Sequence, residues 1–311
     1  MTTPLDPAAQ ALLDAAAAGG LPPVYRVSID EARTRMHRGF TSGEPEPIAE
    51  MRDFTVSSSD GPVGVRLYHP EPTTALPLVV FFHGGGWTVN DLDTHDRICS
   101  VLAKEASVAV VSVDYRLSPE YRYPAAIDDA ETAYRWLSTH AAELGADASR
   151  IAVAGDSSGA TVAVALALRI RDSGGAPPRF QLLFYPVTDY LEPETRSYIE
   201  RGAGYSLSKP FMEWAWKNYL PSDWSRDDPY LFPLRADLAG LPPALVMTAE
   251  YDPLRDEGVA FARALETAGV PVEHVHADDQ MHGFVMQTRA IPRAGELVSL
   301  AAAALRRSLT S

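Results

Sequence analysis

Ile151-Ala152-Val153-Ala154-Gly155-Asp156-Ser157-Ser158-Gly159 joins a short apolar run to the start of a helical pattern over 159–171. Strand, sharp turn and helix with a serine at the apex make a nucleophile elbow. A serine on so tight a turn needs strained backbone angles. The chain two residues before and after it must come close, where a Cβ would collide, so Gly155 and Gly159 are the residues the turn requires. The helix beginning beneath Ser157 aims its positive end at the place where negative charge would develop.

Outward from the elbow, apolar runs at 78–82, 108–113, 151–154, 180–185, 244–248 and 272–276 alternate with helical patterns at 93–105, 125–139, 159–171, 255–268 and 292–309. Such alternation predicts an α/β protein with a mostly parallel sheet covered by helices on both faces. Two earlier runs, 54–58 and 63–68, flank the turn signal Asp60-Gly61-Pro62 and read as an antiparallel pair. Eight strands are therefore expected. Two segments break the alternation. Residues 1–45 are helical before any strand, and 187–230 interrupt the series around a helix at 209–219 crowded with Phe211, Met212, Trp214, Trp216 and Tyr219. That helix must pack on the domain beneath, and can serve as a lid while doing so. The expected division is a catalytic domain of 46–186 and 231–311, with 1–45 and 187–230 as cap segments.

His83-Gly84-Gly85-Gly86-Trp87 follows the run at 78–82. Consecutive glycines can turn backbone N–H groups toward a small anion, as a tetrahedral oxyanion requires. Gly84, Gly85 and Ser158 are the expected N–H donors, and His83 is expected to orient the loop.

A serine nucleophile needs a base, and the base needs a group that holds it. His274 and His276 share one face of a strand and read as structural. His282, in Met281-His282-Gly283-Phe284, lies beyond the carboxyl end of that strand, from where it can reach the elbow. Asp252, in Glu250-Tyr251-Asp252-Pro253-Leu254-Arg255-Asp256, likewise follows the run at 244–248. Asp256 falls inside the next helix, where a first-turn carboxylate is common. Ser157, Asp252 and His282 are the expected catalytic residues, in the chain order of α/β hydrolases. Trp87, Phe211, Trp214 and Phe284 are candidate pocket walls.

These motifs, with Asp114-Tyr115-Arg116-Leu117-Ser118-Pro119-Glu120 and Pro124-Ala125-Ala126-Ile127-Asp128-Asp129, resemble the hormone-sensitive-lipase branch of the α/β-hydrolase esterases, bacterial family IV. The resemblance runs from about residue 50 to the C-terminus. It implies an eight-stranded sheet, a cap made of the N-terminal helices and the insertion after the sixth strand, and cofactor-free hydrolysis of short- to medium-chain carboxylic esters. Ser158 and Ala160 depart from the family's usual Ala and second Gly after the nucleophile, which leaves the Ser158 N–H in place. Some relatives pair through the last strand or helix, which leaves a homodimer open.

Composition is that of an ordinary globular protein: 46% hydrophobic and 22% charged residues. With 27 Lys and Arg against 41 Asp and Glu, the net charge is −14. That excess repels nucleic acids and anionic membranes. No apolar run approaches the ~18 residues that span a bilayer, so no stable membrane insertion is expected. Met1-Thr2-Thr3-Pro4-Leu5-Asp6 lacks the basic-then-apolar pattern of a secretory leader, so a cytoplasmic location is expected. The single cysteine, Cys99, reads as a buried small hydrophobe. No His-Glu-x-x-His spacing appears, so no metal is expected. Two other readings use the same residues. One is a non-catalytic small-molecule receptor, and the other is an amidase or acyltransferase sharing the acyl-enzyme.

Overall fold

The computed structural model describes residues 3–41, 46–57 and 61–310. Ser58 and Asp60, expected in the first strand and its turn, lie outside them, as do residues 1, 2 and 42–45 of the N-terminal segment. In chain order the elements are α1 (Pro7–Ala18), α2 (Ile29–Phe40), β1 (Glu50–Val56), β2 (Val63–His69), β3 (Leu76–Phe82), α3 (Leu92–Ala106), β4 (Ala109–Asp114), α4 (Ala125–His140), β5 (Ala146–Asp156) and α5 (Ser158–Asp172). There follow β6 (Phe180–Phe184), α6 (Arg196–Arg201), α7 (Lys209–Tyr219), β7 (Ala244–Tyr251), α8 (Arg255–Thr267), β8 (Val272–Met281) and α9 (Pro292–Thr310).

The sheet order is β1-β2-β4-β3-β5-β6-β7-β8. β1 runs antiparallel to β2 and β2 antiparallel to β4, while the remaining pairs are parallel. The period of two along each strand divides the core. Leu78, Val80 and Phe82 of β3 face α4, α5 and α8. Val79 and Phe81 face α3 and α9 on the other side. β3 is buried at every position, as expected of a central strand covered on both faces.

After β3 the chain moves outward to β4, then crosses back to place β5 on the other side of β3. The carboxyl ends of β3 and β5 therefore adjoin, with Phe82 paired to Gly155. This is the switch point at which open α/β sheets form a crevice.

The expected N-terminal segment divides in two. α1 joins the core layer of α3 and α9 through Ala9, Leu12 and Leu13. Its entry is tied to β8 by Asp6 N–H donating to Asp279 O at 2.9 Å. α2 instead packs against α3, and the turn at Val24–Arg26 packs against α7. β8 runs five residues past its apolar part, because an edge strand tolerates acidic residues such as Asp278 and Asp279 that mask it in the sequence. Among the described residues no helix is long and apolar enough to cross a membrane.

Leu305 of α9 is fully buried in the second core layer. Leu305→Ala is expected to cost about 2–5 kcal/mol of stability by urea unfolding. Turnover per folded molecule should stay unchanged, because α9 lies outside the crevice.

Candidate active site

Ser157 sits between β5 and α5 at φ 53° and ψ −123°, a conformation that non-glycine residues rarely adopt. A Cβ on Gly155 would lie 2.5 Å from the Gly159 carbonyl. One on Gly159 would lie 2.1 Å from Phe82 O and 2.5 Å from His83 O. The second glycine is thus required less by the turn itself than by the end of β3, against which α5 is pressed.

Three side chains from three strand ends meet here. His282 Nε2 lies 3.0 Å from Ser157 Oγ, and His282 Nδ1 lies 2.7 Å from Asp252 Oδ2. Asp252 is fully buried, and its other oxygen accepts the Leu254 N–H at 2.8 Å. Asp256 points elsewhere, accepting the Ser197 N–H. Tyr185, at the end of β6, lays its ring 4.4 Å from that of His282. His274 and His276 both bond Thr248 Oγ1 and stand apart from the elbow.

The glycine loop can be read group by group, because a buried backbone N–H or C=O needs a partner. Gly84 N–H donates to Asp156 Oδ1 at 2.7 Å. Gly84 O accepts from His83 Nδ1 at 2.8 Å and Asn90 Nδ2 at 3.1 Å. Gly85 O accepts the N–H groups of Thr88 and Val89, and Gly86 O accepts the Thr88 hydroxyl. Trp87 N–H reaches Ser158 Oγ at 3.3 Å, and Trp87 O accepts the Ser118 N–H at 2.8 Å. Thr88 O accepts from Arg33 Nε at 2.9 Å. Among the described residues, the N–H groups of Gly85, Gly86 and Ser158 remain without a partner. Gly85 and Gly86 line the same cavity as Ser157 and His282. The N–H of Gly84, expected as a donor, is occupied by a buried carboxylate, whereas those of Gly85 and Gly86 are not taken up by any described residue.

Asp156 is almost fully buried and meets His95 Nε2 at 3.1 Å. Burial pushes its carboxyl up, but His95, the Gly84 N–H and His83 together outweigh burial and hold it below the ordinary carboxylate range. Burial, helped by the neighbouring His95, pushes His83 down to about 4. His83 is thus a neutral donor to Gly84 O, stacked on Tyr115 at 4.4 Å. Nothing in the sequence around His95 distinguishes it from an ordinary helical histidine.

A cavity of about 150 Å³ opens above Ser157. Of the four expected wall residues, Phe211 lines it. Trp87 instead stacks on Tyr219 at 4.2 Å, Trp214 packs on Phe211, and Phe284 sets its edge against Tyr185. Trp87 and Phe284 are buried in the two core layers, and Trp214 is half-buried on α7. The remaining apolar wall comes from Val24, Met36, Phe40, Leu207 and Met286. Met36 and Phe40 lie four apart on α2, a helical spacing that could have marked them.

A family model described as alpha/beta hydrolase fold matches residues 79–286. Carboxylesterase NlhH of Mycobacterium tuberculosis (strain H37Rv) is 41% identical over 98% of this chain and 96% of its own. Ethyl acetate hydrolase of Pseudomonas putida is 38% identical over 94% of each. Among solved structures, the hyperthermophilic esterase of Pyrobaculum calidifontis superposes with a TM-score of 0.94 at 36% identity, covering 99% of this chain and 100% of that one.

Gly159→Ala forces a methyl group into the carbonyls at the end of β3. It is expected to cost about 1–3 kcal/mol of stability and to displace Ser157. Thermal unfolding and activity per folded molecule should both fall. Wild-type values in both would contradict this placement.

Proposed function

The chain belongs to the alpha/beta hydrolase family, in its hormone-sensitive-lipase-like branch, and from that premise we propose how its site works as a serine carboxylesterase. His282 takes the proton of Ser157 Oγ as that oxygen attacks the ester carbonyl. Asp252 fixes the imidazole tautomer and stabilises the imidazolium. The N–H groups of Gly85, Gly86 and Ser158 hold the oxyanion. As the tetrahedral intermediate collapses, the C–O bond to the alcohol breaks and His282 returns the proton to the leaving oxygen. Water then attacks the acyl-enzyme with His282 again as base, releasing the acid and restoring Ser157. The observation that carries this reading is the unbroken run of hydrogen bonds Ser157–His282–Asp252 beside N–H groups that have no partner among the described residues. It also weighs against a non-catalytic receptor, which needs no aligned base.

The cavity volume supports short acyl groups. A cavity of about 150 Å³ holds a molecule the size of benzene, so longer acyl chains must extend beyond it. α2 and α7 act as the cap, since their Met36, Phe40 and Phe211 close the cavity.

Hydrolysis of p-nitrophenyl esters from acetate to dodecanoate should be fastest for the short members. Ser157→Ala should lower turnover by roughly 10⁴- to 10⁶-fold in a folded protein. A variant keeping more than about a tenth of the activity would remove Ser157 from the reaction.

A further inference from the structure

α2 carries Arg33, Met36, His37 and Phe40 at helical spacing i, i+3, i+4 and i+7, so all four share one stripe. Met36 and Phe40 line the catalytic cavity. Arg33, one turn earlier, touches the loop beneath it. Its Nε donates to Thr88 O at 2.9 Å and its Nη2 to Ser118 O at 3.1 Å. The same guanidinium forms a bidentate pair with Glu120 at 2.9 and 2.7 Å. One planar group thus joins the N-terminal helix, the glycine loop and the loop after β4.

Thr88 is where that matters. Its N–H closes the turn on Gly85 O and its hydroxyl closes on Gly86 O. Gly85 O shares its peptide plane with the Gly86 N–H, and Gly86 O with the Trp87 N–H, so these bonds set the plane that carries the N–H of cavity-lining Gly86. Ser118, held by the same guanidinium, grips Trp87 O through its N–H and its hydroxyl. Arg33 is therefore the outer fastening of the turn whose inner fastenings are Asp156 on Gly84 and Ser158 on Trp87. Charge-assisted bonds to carbonyl oxygens are stronger than neutral ones, and a rigid fork holds two directions at once. The Glu120 pair is half exposed and by itself contributes little. Its use is to aim the guanidinium.

We propose that Arg33 is a positioning residue for the oxyanion hole: by holding Thr88 O and Ser118 O from the N-terminal helix, it fixes the direction of the Gly86 N–H. The inference rests on the esterase mechanism above. It gives α2 a part in the transition state beyond covering the substrate.

The test compares Arg33→Met, Arg33→Lys and His37→Asn with wild type on p-nitrophenyl acetate and butyrate. Ser157→Ala is included throughout, and each variant is checked by thermal unfolding. His37 ties the same helix to Asp91 at 2.7 Å without touching a loop carbonyl, so it controls for loosened docking of α2. Arg33→Met should lower kcat by roughly 10- to 100-fold on both esters, with KM changed less than about threefold. Arg33→Lys, which keeps the charge but loses the fork, should fall between it and wild type. His37→Asn should stay within about threefold of wild type. Affinity for a trifluoromethyl ketone, which forms an oxyanion on Ser157, should drop with kcat/KM. Binding of the matching alcohol should not change. An Arg33→Met kcat within about threefold of wild type would overturn the inference, as would an equal loss in His37→Asn or a loss confined to KM. Activity that survives Ser157→Ala would instead overturn the esterase mechanism, so the two failures are distinct.

Discussion

The start of α5 is pressed against the end of β3, and the site depends on that contact. Gly159 fits under the carbonyls of Phe82 and His83 with no room for a side chain. The approach brings the residues before and after the nucleophile within reach of the glycine loop. Asp156 takes the Gly84 N–H and Ser158 Oγ takes the Trp87 N–H. Elbow and loop are thus one rigid piece, joined by backbone proximity and by two side chains adjacent to Ser157. Strain of the kind held at Ser157 costs about 1–3 kcal/mol and persists only when its surroundings over-determine it. Here α5, buried along almost its whole length, supplies that constraint.

The loop divides its backbone between holding and reacting. Gly84 is held through both of its peptide groups, by a carboxylate at N–H and by an imidazole and an amide at C=O. Its neighbours Gly85 and Gly86 line the cavity, and no described residue takes up their N–H groups. Donors fixed before the substrate arrives need no reorganisation as charge develops, which is the largest single source of catalysis in acyl transfer. His95, set behind Asp156, keeps that carboxylate ionised in a buried place.

Much of this was legible in the residues, and what was not has a common cause. Strand and helix positions follow from local periodicity, and the elbow, Asp252 and His282 follow from their places at strand ends. Which N–H of the glycine loop stays unpaired is decided by Asp156, far along the chain, and not by the glycines, so the sequence does not tell Gly84 from Gly86. Trp87 and Phe284 were misread as walls because aromatic bulk does not say which way a ring points. Trp87 finds Tyr219, and Phe284 finds Tyr185. The Ser158 hydroxyl, without an evident use in the sequence, is a fastening of the loop. His95 and Arg33 act through carboxylate and carbonyl partners that only the folded chain brings near.

The central claim is that an oxyanion on Ser157 rests on Gly85, Gly86 and Ser158 while Gly84 stays bound to Asp156. A crystal structure of the enzyme after reaction with a small alkyl phosphonate tests it directly. The phosphoryl oxygen should lie about 2.7–3.1 Å from those three nitrogens, with the Gly84–Asp156 hydrogen bond intact. An oxygen seated on the Gly84 N–H with Asp156 displaced, or a phosphonate attached to any residue other than Ser157, would contradict the account.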